Sequence, residues 1–128
     1  MGKVRRSRGA SALLLALAAL WPGAVLSNQQ REMTLSEKVE SSDLVLMASI
    51  VAVGGGECLG MHRCARLNVA STLKGTAPVD MAVLFDGPIA EENPLCCEVG
   101  QTYLFFLKRT KGAYFQSANG PFGIYRVK

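Results

Sequence analysis

Hydrophobic and polar positions change period several times along this chain, and each change marks an element. Thr34 and Glu37, three residues apart, form a capping box at the head of a short helix, with Thr34 as its N-cap. Leu35 and Val39, four apart, give that helix one apolar stripe, and it ends near Ser41 and Ser42. From Asp43 the run "DLVLMASIVAVGGG" is apolar until three glycines stop it, as in a strand covered on both faces or strongly curved. "CARLNVASTLKG" alternates, with Leu67, Val69, Ser71 and Leu73 on one face and Arg66, Asn68, Thr72 and Lys74 on the other. After a turn at Gly75 to Pro78, "VDMAVLF" alternates again, with Val79, Met81, Val83 and Phe85 inward. A long connection, "DGPIAEENPLCCEVG", leads to a fourth strand, "QTYLFFLKR". Gly112 turns that strand into "AYFQSA", and "GIYRVK" adds a final short strand.

One short helix and five to six strands predict a mainly β fold, a small closed or partly open antiparallel barrel. A chain of this size covers two free sheet edges poorly, and closure removes them. Five strands with a longer connection after the third is the layout of an OB-fold.

The first 27 residues stand apart. Lys3, Arg5, Arg6 and Arg8 precede the apolar run "ASALLLALAALW", Pro22 and Gly23 break it, and Val25 and Ser27 sit where a signal peptidase prefers small or short side chains. A helix needs about 20 apolar residues to span a bilayer, and this run is shorter. The pattern predicts a cleaved signal peptide over 1–27, a single domain over 28–128, a secreted or periplasmic location, and no membrane span after cleavage.

Removing that leader changes the electrostatics. The chain carries 14 Lys and Arg against 10 Asp and Glu, and four of the basic residues belong to the leader, which leaves ten against ten. Nucleic-acid binding then loses its support, because it needs surplus cations to displace phosphate counterions. The cluster Lys108 to Lys111 before Gly112 reads as a solvated hairpin tip.

Three stretches carry a resemblance: "SSDLVLMASIVAV", "LNVASTLKGTAPVDMAVLF" and "LCCEVGQTYLFFLK". Together they resemble the OB-fold of the tissue inhibitors of metalloproteinases and their bacterial relatives. The shared features are the apolar first strand, a second strand ending in Leu73-Lys74-Gly75, and Cys97 (or Cys96) followed by Gly100, Tyr103 and Leu104. The match runs from about Leu35 to Tyr114. In that family the mature chain begins with a cysteine that chelates the protease zinc; this chain's first cysteine is Cys58. The resemblance therefore implies the fold, of a bacterial type lacking the inhibitory cysteine.

Chemistry-bearing residues gather in "ECLGMHRC" and "PLCCEV". Cys58, Met61, His62 and Cys64 offer soft sulfur and imidazole ligands for zinc or reduced copper, though the spacing matches no familiar zinc knuckle. Redox catalysis would want Cys-x-x-Cys at a helix start, which "CC" is not. The four cysteines, Cys58, Cys64, Cys96 and Cys97, suit structural disulfides in an oxidising compartment. Strand direction puts both cysteine loops at one barrel end and favours bonds between them; the competing arrangement is a local Cys58–Cys64 bond, with Cys96 and Cys97 joined or reduced. His62 is the only histidine and has no evident partner acid beyond Glu57, and Glu91-Glu92 reads as solvated. No cofactor and no catalysis are implied. The exposed part of Tyr103, Phe105, Tyr114 and Phe115 is a candidate protein-partner surface. The expected function is an exported, non-catalytic protein-binding module. The alternatives are a metal-handling protein and a metalloprotease inhibitor acting through a different loop.

Overall fold

The computed structural model describes residues 30–54 and 58–128; the signal peptide expected over 1–27 and Glu57 lie outside them. Helix α1 (Leu35–Ser41) begins at Thr34, where the capping box with Glu37 forms as the sequence predicts. Six strands follow: β1 (Leu44–Val53), β2 (Arg63–Lys74), β3 (Ala82–Asp86), β4 (Thr102–Lys111), β5 (Tyr114–Ser117) and β6 (Ile124–Val127). Their order is β1-β2-β3-β5-β4-β6, and β1 also pairs with β4, so five strands close a barrel and β6 extends β4 outside it. This is an OB-fold-like barrel. The expectation of antiparallel strands fails at one place: β3 and β5 pair in parallel, Ala82 with Tyr114 through Leu84 with Gln116.

The barrel interior holds Leu44, Leu46, Ala48 and Ile50 from β1, Met81, Val83 and Phe85 around β3, and Tyr103, Phe105 and Leu107 from β4, with Phe115 and Ile124. A second cluster lies outside the wall, where Val45, Phe106 and Ala118 pack with Leu104 and Tyr125. β1 and β4 are thus buried on both faces, which explains their unbroken apolar runs. The Lys108–Lys111 tip is exposed, as its composition predicts.

Three assignments of facing fail, at Ser71, Leu73 and Val79. Ala48 pairs with Val69 but Met47 with Ser71, so Ala70 is an extra residue in β2, and a second slip makes Leu73 extra. Each bulge reverses the alternation beyond it. Thr72, not Ser71, therefore lies opposite Leu46, and Leu73 is exposed. Val79, 98 % exposed, lies in the connection because β3 starts only at Ala82. The close turn at Gly75 has φ +81°, and a Cβ there would strike the Asp43 carbonyl oxygen.

α1 also turns a different face to the barrel. Leu35 is exposed and Val39 borders on it, while Lys38 is 5 % exposed. Its stem covers the outer cluster, its ammonium lies 4.6 Å from the Tyr125 ring centre, and it donates to the Tyr125 hydroxyl and, at 3.1 Å, to Glu32. The Tyr125 hydroxyl in turn donates to Glu32 at 3.0 Å. An aromatic face with a carboxylate beside it suits a snorkelling lysine better than a leucine. Asn119, 1 % exposed, fixes the preceding segment: its Oδ1 accepts from the Met33 amide at 2.7 Å and its Nδ2 donates to the Arg31 carbonyl at 3.1 Å.

Two predictions follow from these clamps. Asn119→Ala removes two part-buried hydrogen bonds, to the Met33 amide and the Arg31 carbonyl, and should cost about 1 kcal/mol in denaturant unfolding; a loss below a few tenths would mean the clamp contributes nothing. The second concerns pH. Hydrogen bonds from Lys38, then Tyr125, hold the Glu32 carboxyl below its usual 4.5. Burial pulls the Lys38 pKa down, but bonds with Tyr125 and Glu32 outweigh it and hold it above 10.5. Stability from the depressed acid is present above pH 4.5 and lost as pH falls through the lowered value. Stability from the raised lysine is present below pH 10.5 and lost as pH rises through the raised value. Thermal unfolding across pH should show both limbs, and Glu32→Gln should flatten the acid one.

Candidate functional site: the disulfide-tied end of the barrel

Strand direction gathers the loops. β1 ends, β2 starts, β3 ends and β4 starts at the same end of the barrel, so residues 58–62 and 87–101 open there together. The cysteines do not bridge the two loops, however. Cys58 bonds Cys64, with Cα atoms 5.9 Å apart, and Cys96 bonds Cys97. The expected inter-loop pairing is thereby corrected, and the reason lies in the path of the chain. The Gly54 amide donates to the Cys64 carbonyl and the Cys58 amide to the His62 carbonyl, each at 2.8 Å, folding the first loop back on itself. The part of the second connection that borders it is 87–94. Cys96 and Cys97 are carried past it to β6, beside Ile124 and Tyr125, where they pack on the core. In chain-entropy terms the Cys58–Cys64 bond stabilises by about 2 kcal/mol and the Cys96–Cys97 bond by about 1 kcal/mol, against about 4 kcal/mol for a bond between the loops.

His62 joins the two loops. Its Nδ1 is 3.1 Å from the Leu59 carbonyl oxygen, and its ring lies on Gly87, where a Cβ would come within 2.6 Å of two ring atoms. A side chain at 87 would have to push the His62 ring aside. Asn93 shapes the turn that follows: its Oδ1 accepts from the Gly87 amide at 2.9 Å and its Nδ2 reaches Asp86 at 3.4 Å. Asp86 also pairs with Arg63 at 3.3 Å, and the Arg63 guanidinium stacks 5.3 Å from the Phe85 ring centre. Below the His62 ring is a cleft of about 220 Å³, walled by Gln30, Glu92, Asn93 and Gln116 among others.

The metal candidates are now placed. Cys58 and Cys64 share a disulfide, which takes both sulfurs out of the thiolate form a metal needs. Met61 points to solvent, 66 % exposed. Among the described residues no three His, Cys, Asp or Glu side chains converge as a metal site.

The aromatic partner surface is also corrected. Tyr103, Phe105 and Phe115 are core residues, and Tyr114 is half-buried. The adjacent Phe106, on the other face of β4, is buried beneath Lys38 and Tyr125. Among the described residues, the large apolar side chains left in solvent on these two loops are Met61, Ile89, Leu95 (81 % exposed) and Val99. They went unmarked in the sequence because a single apolar residue between loop residues has no period to announce it. Their signal is the placement of large apolar residues in segments rich in Gly, Pro and acid.

The chain matches no family model, no curated protein and no solved structure. The reading of this end therefore rests on its geometry.

Gly87→Ala should cost about 1–3 kcal/mol by forcing the His62 ring aside, and most of that loss should vanish in a His62→Ala background. Equal losses in both backgrounds would show that the ring contact is not the cause. Protein purified without reductant should titrate no free thiol, and a non-reducing peptide map should find each bond within its own loop.

Proposed function

We propose that this chain is an exported, non-catalytic OB-fold domain that binds another protein through the disulfide-tied end of its barrel. The observation that carries this reading is the set of four large apolar side chains, Met61, Ile89, Leu95 and Val99, exposed on two braced loops. Apolar side chains held out on rigid loops release water when a partner covers them, at little cost in ordering. Export is supported by the leader-like pattern of residues 1–27 and by two cystines. Neutrality beyond the leader argues for a protein partner over a nucleic acid.

The resemblance to the tissue inhibitors of metalloproteinases supports the same type of module. Protease inhibition, if retained, runs through these loops, since the segment before Cys58 holds no cysteine to chelate zinc. Metal handling is the weaker reading, because it requires Cys58 and Cys64 to be reduced.

Immobilised protein should retain one stoichiometric partner from the extracytoplasmic fraction of its source cells. Leu95→Asp with Val99→Asp should reduce retention at least tenfold without lowering the melting temperature. Retention indifferent to these changes would overturn the assignment of the surface. Titration against a panel of metalloproteases tests the inhibitory form, which predicts saturable loss of protease activity that the same two changes abolish.

A further inference from the structure

The sulfur atoms of this domain sit in different environments, and the environment sets what each can react with. All four cysteines are held in cystines, which leaves the methionine thioethers as the reduced sulfur. Four methionines lie among the described residues. Met81 is part of the core, and Met47 is half-buried in β1. Met33 is half-buried as well, and its Sδ accepts from the Ser41 hydroxyl at 3.6 Å. Met61 alone among them is exposed.

The loop itself holds that thioether out. Gly60 and Met61 are the turn residues between Leu59 and His62, and the His62 amide closes the turn on the Leu59 carbonyl at 3.2 Å. Gly60 takes φ +64°, and no non-glycine residue among those described has a positive φ. This is the pattern of a type II′ turn, which wants glycine at its first central position. Just outside the turn the Cys58–Cys64 cystine ties the chain, and the Cys58 amide donates to the His62 carbonyl at 2.8 Å. The backbone is thus fixed on both sides of Met61, which keeps its side chain at the tip and in solvent.

We infer that Met61 is a sulfoxidation site through which a peroxide releases the partner protein. A lone pair on Sδ attacks one peroxide oxygen, and an S–O bond forms as the O–O bond breaks. The departing hydroxide takes the proton of the transferred oxygen and leaves as water. The sulfur gives up two electrons and the peroxide accepts them. The product, a methionine sulfoxide, puts a polar oxygen on a side chain that the partner covers as apolar surface. Covering it then strips water from that oxygen with no donor supplied in return. The cystines do not compete for the oxidant, since they hold no thiolate. This inference rests on the protein-binding reading and adds its regulation.

The probe is hydrogen peroxide in low molar excess over the whole exported protein with its cystines intact, read by peptide mapping. A gain of one oxygen should build up at Met61 roughly tenfold or more faster than at Met33, Met47 or Met81. In denaturant, where exposures equalise, the same methionines should oxidise at similar rates. Folded protein carrying sulfoxide at 61 should retain its partner about tenfold less well, with its melting temperature unchanged. In Met61→Leu, whatever its own retention, peroxide should change retention by less than about twofold. Uniform oxidation of the methionines in the folded protein would overturn the inference, as would a peroxide effect that persists in Met61→Leu. Retention lost in Leu95→Asp with Val99→Asp but unmoved by sulfoxide at 61 would overturn the release alone and leave the binding module standing. A protein that retains no partner before oxidation would overturn the binding reading, and the release with it.

Discussion

The ladder between β1 and β4 is the constraint on which the remainder of this molecule depends. Six consecutive residue pairs, Leu44 with Leu107 through Ser49 with Thr102, join strands about 50 residues apart in sequence and turn a meander into a closed wall. The ladder is extended at both ends: the Asp43 amide donates to the Leu107 carbonyl, the Ile50 amide to the Gln101 carbonyl, and the Gly100 amide to the Ile50 carbonyl. Closing this seam gives Phe105, Leu46 and Phe115 a common interior. It also places the connection after β3 beside the loop after β1.

Closure has a cost on the outer side of the wall. β4 presents Phe105 inward and Phe106 outward, so a barrel filled correctly inside still exposes aromatic surface outside. α1 covers it, and does so with a lysine. The Lys38 stem lies over Phe106 and Tyr125 while its charge is met by Glu32 and the Tyr125 hydroxyl. A buried cation is tolerable only when its donors are matched in this way. Asn119 performs the same service for the incoming backbone, so that a polar clamp and a polar triad together dock a helix too short to persist alone.

At the loop end the cystines stiffen individual loops instead of joining them. What holds one loop to the other is the His62 ring on Gly87, supported by Asn93 and by the Arg63–Asp86 pair. Side chains such as Leu95 and Val99 stay in solvent because the backbone beneath them is already committed: the Gly100 amide and the Gln101 carbonyl to β1, and the cystine to the core.

Much of the fold was legible one segment at a time. The capping box, the strand count, the solvated tip at Lys108–Lys111 and the OB-fold layout all follow from local period and turn chemistry, because those signals depend on near neighbours. Ser71 and Leu73 were misplaced because a bulge shifts facing without altering composition, and Val79 because β3 starts only at Ala82. Tyr103, Phe105 and Phe115 read as a half-exposed surface because alternation along a strand cannot reveal that both of its faces are covered. The cysteine pairing depended on where 87–94 runs, which no spacing records. The sequence by itself determined which segments become strand, turn or helix. Only the tertiary structure decided which faces meet water and which sulfurs meet each other, since both are set by contacts between residues far apart in the chain.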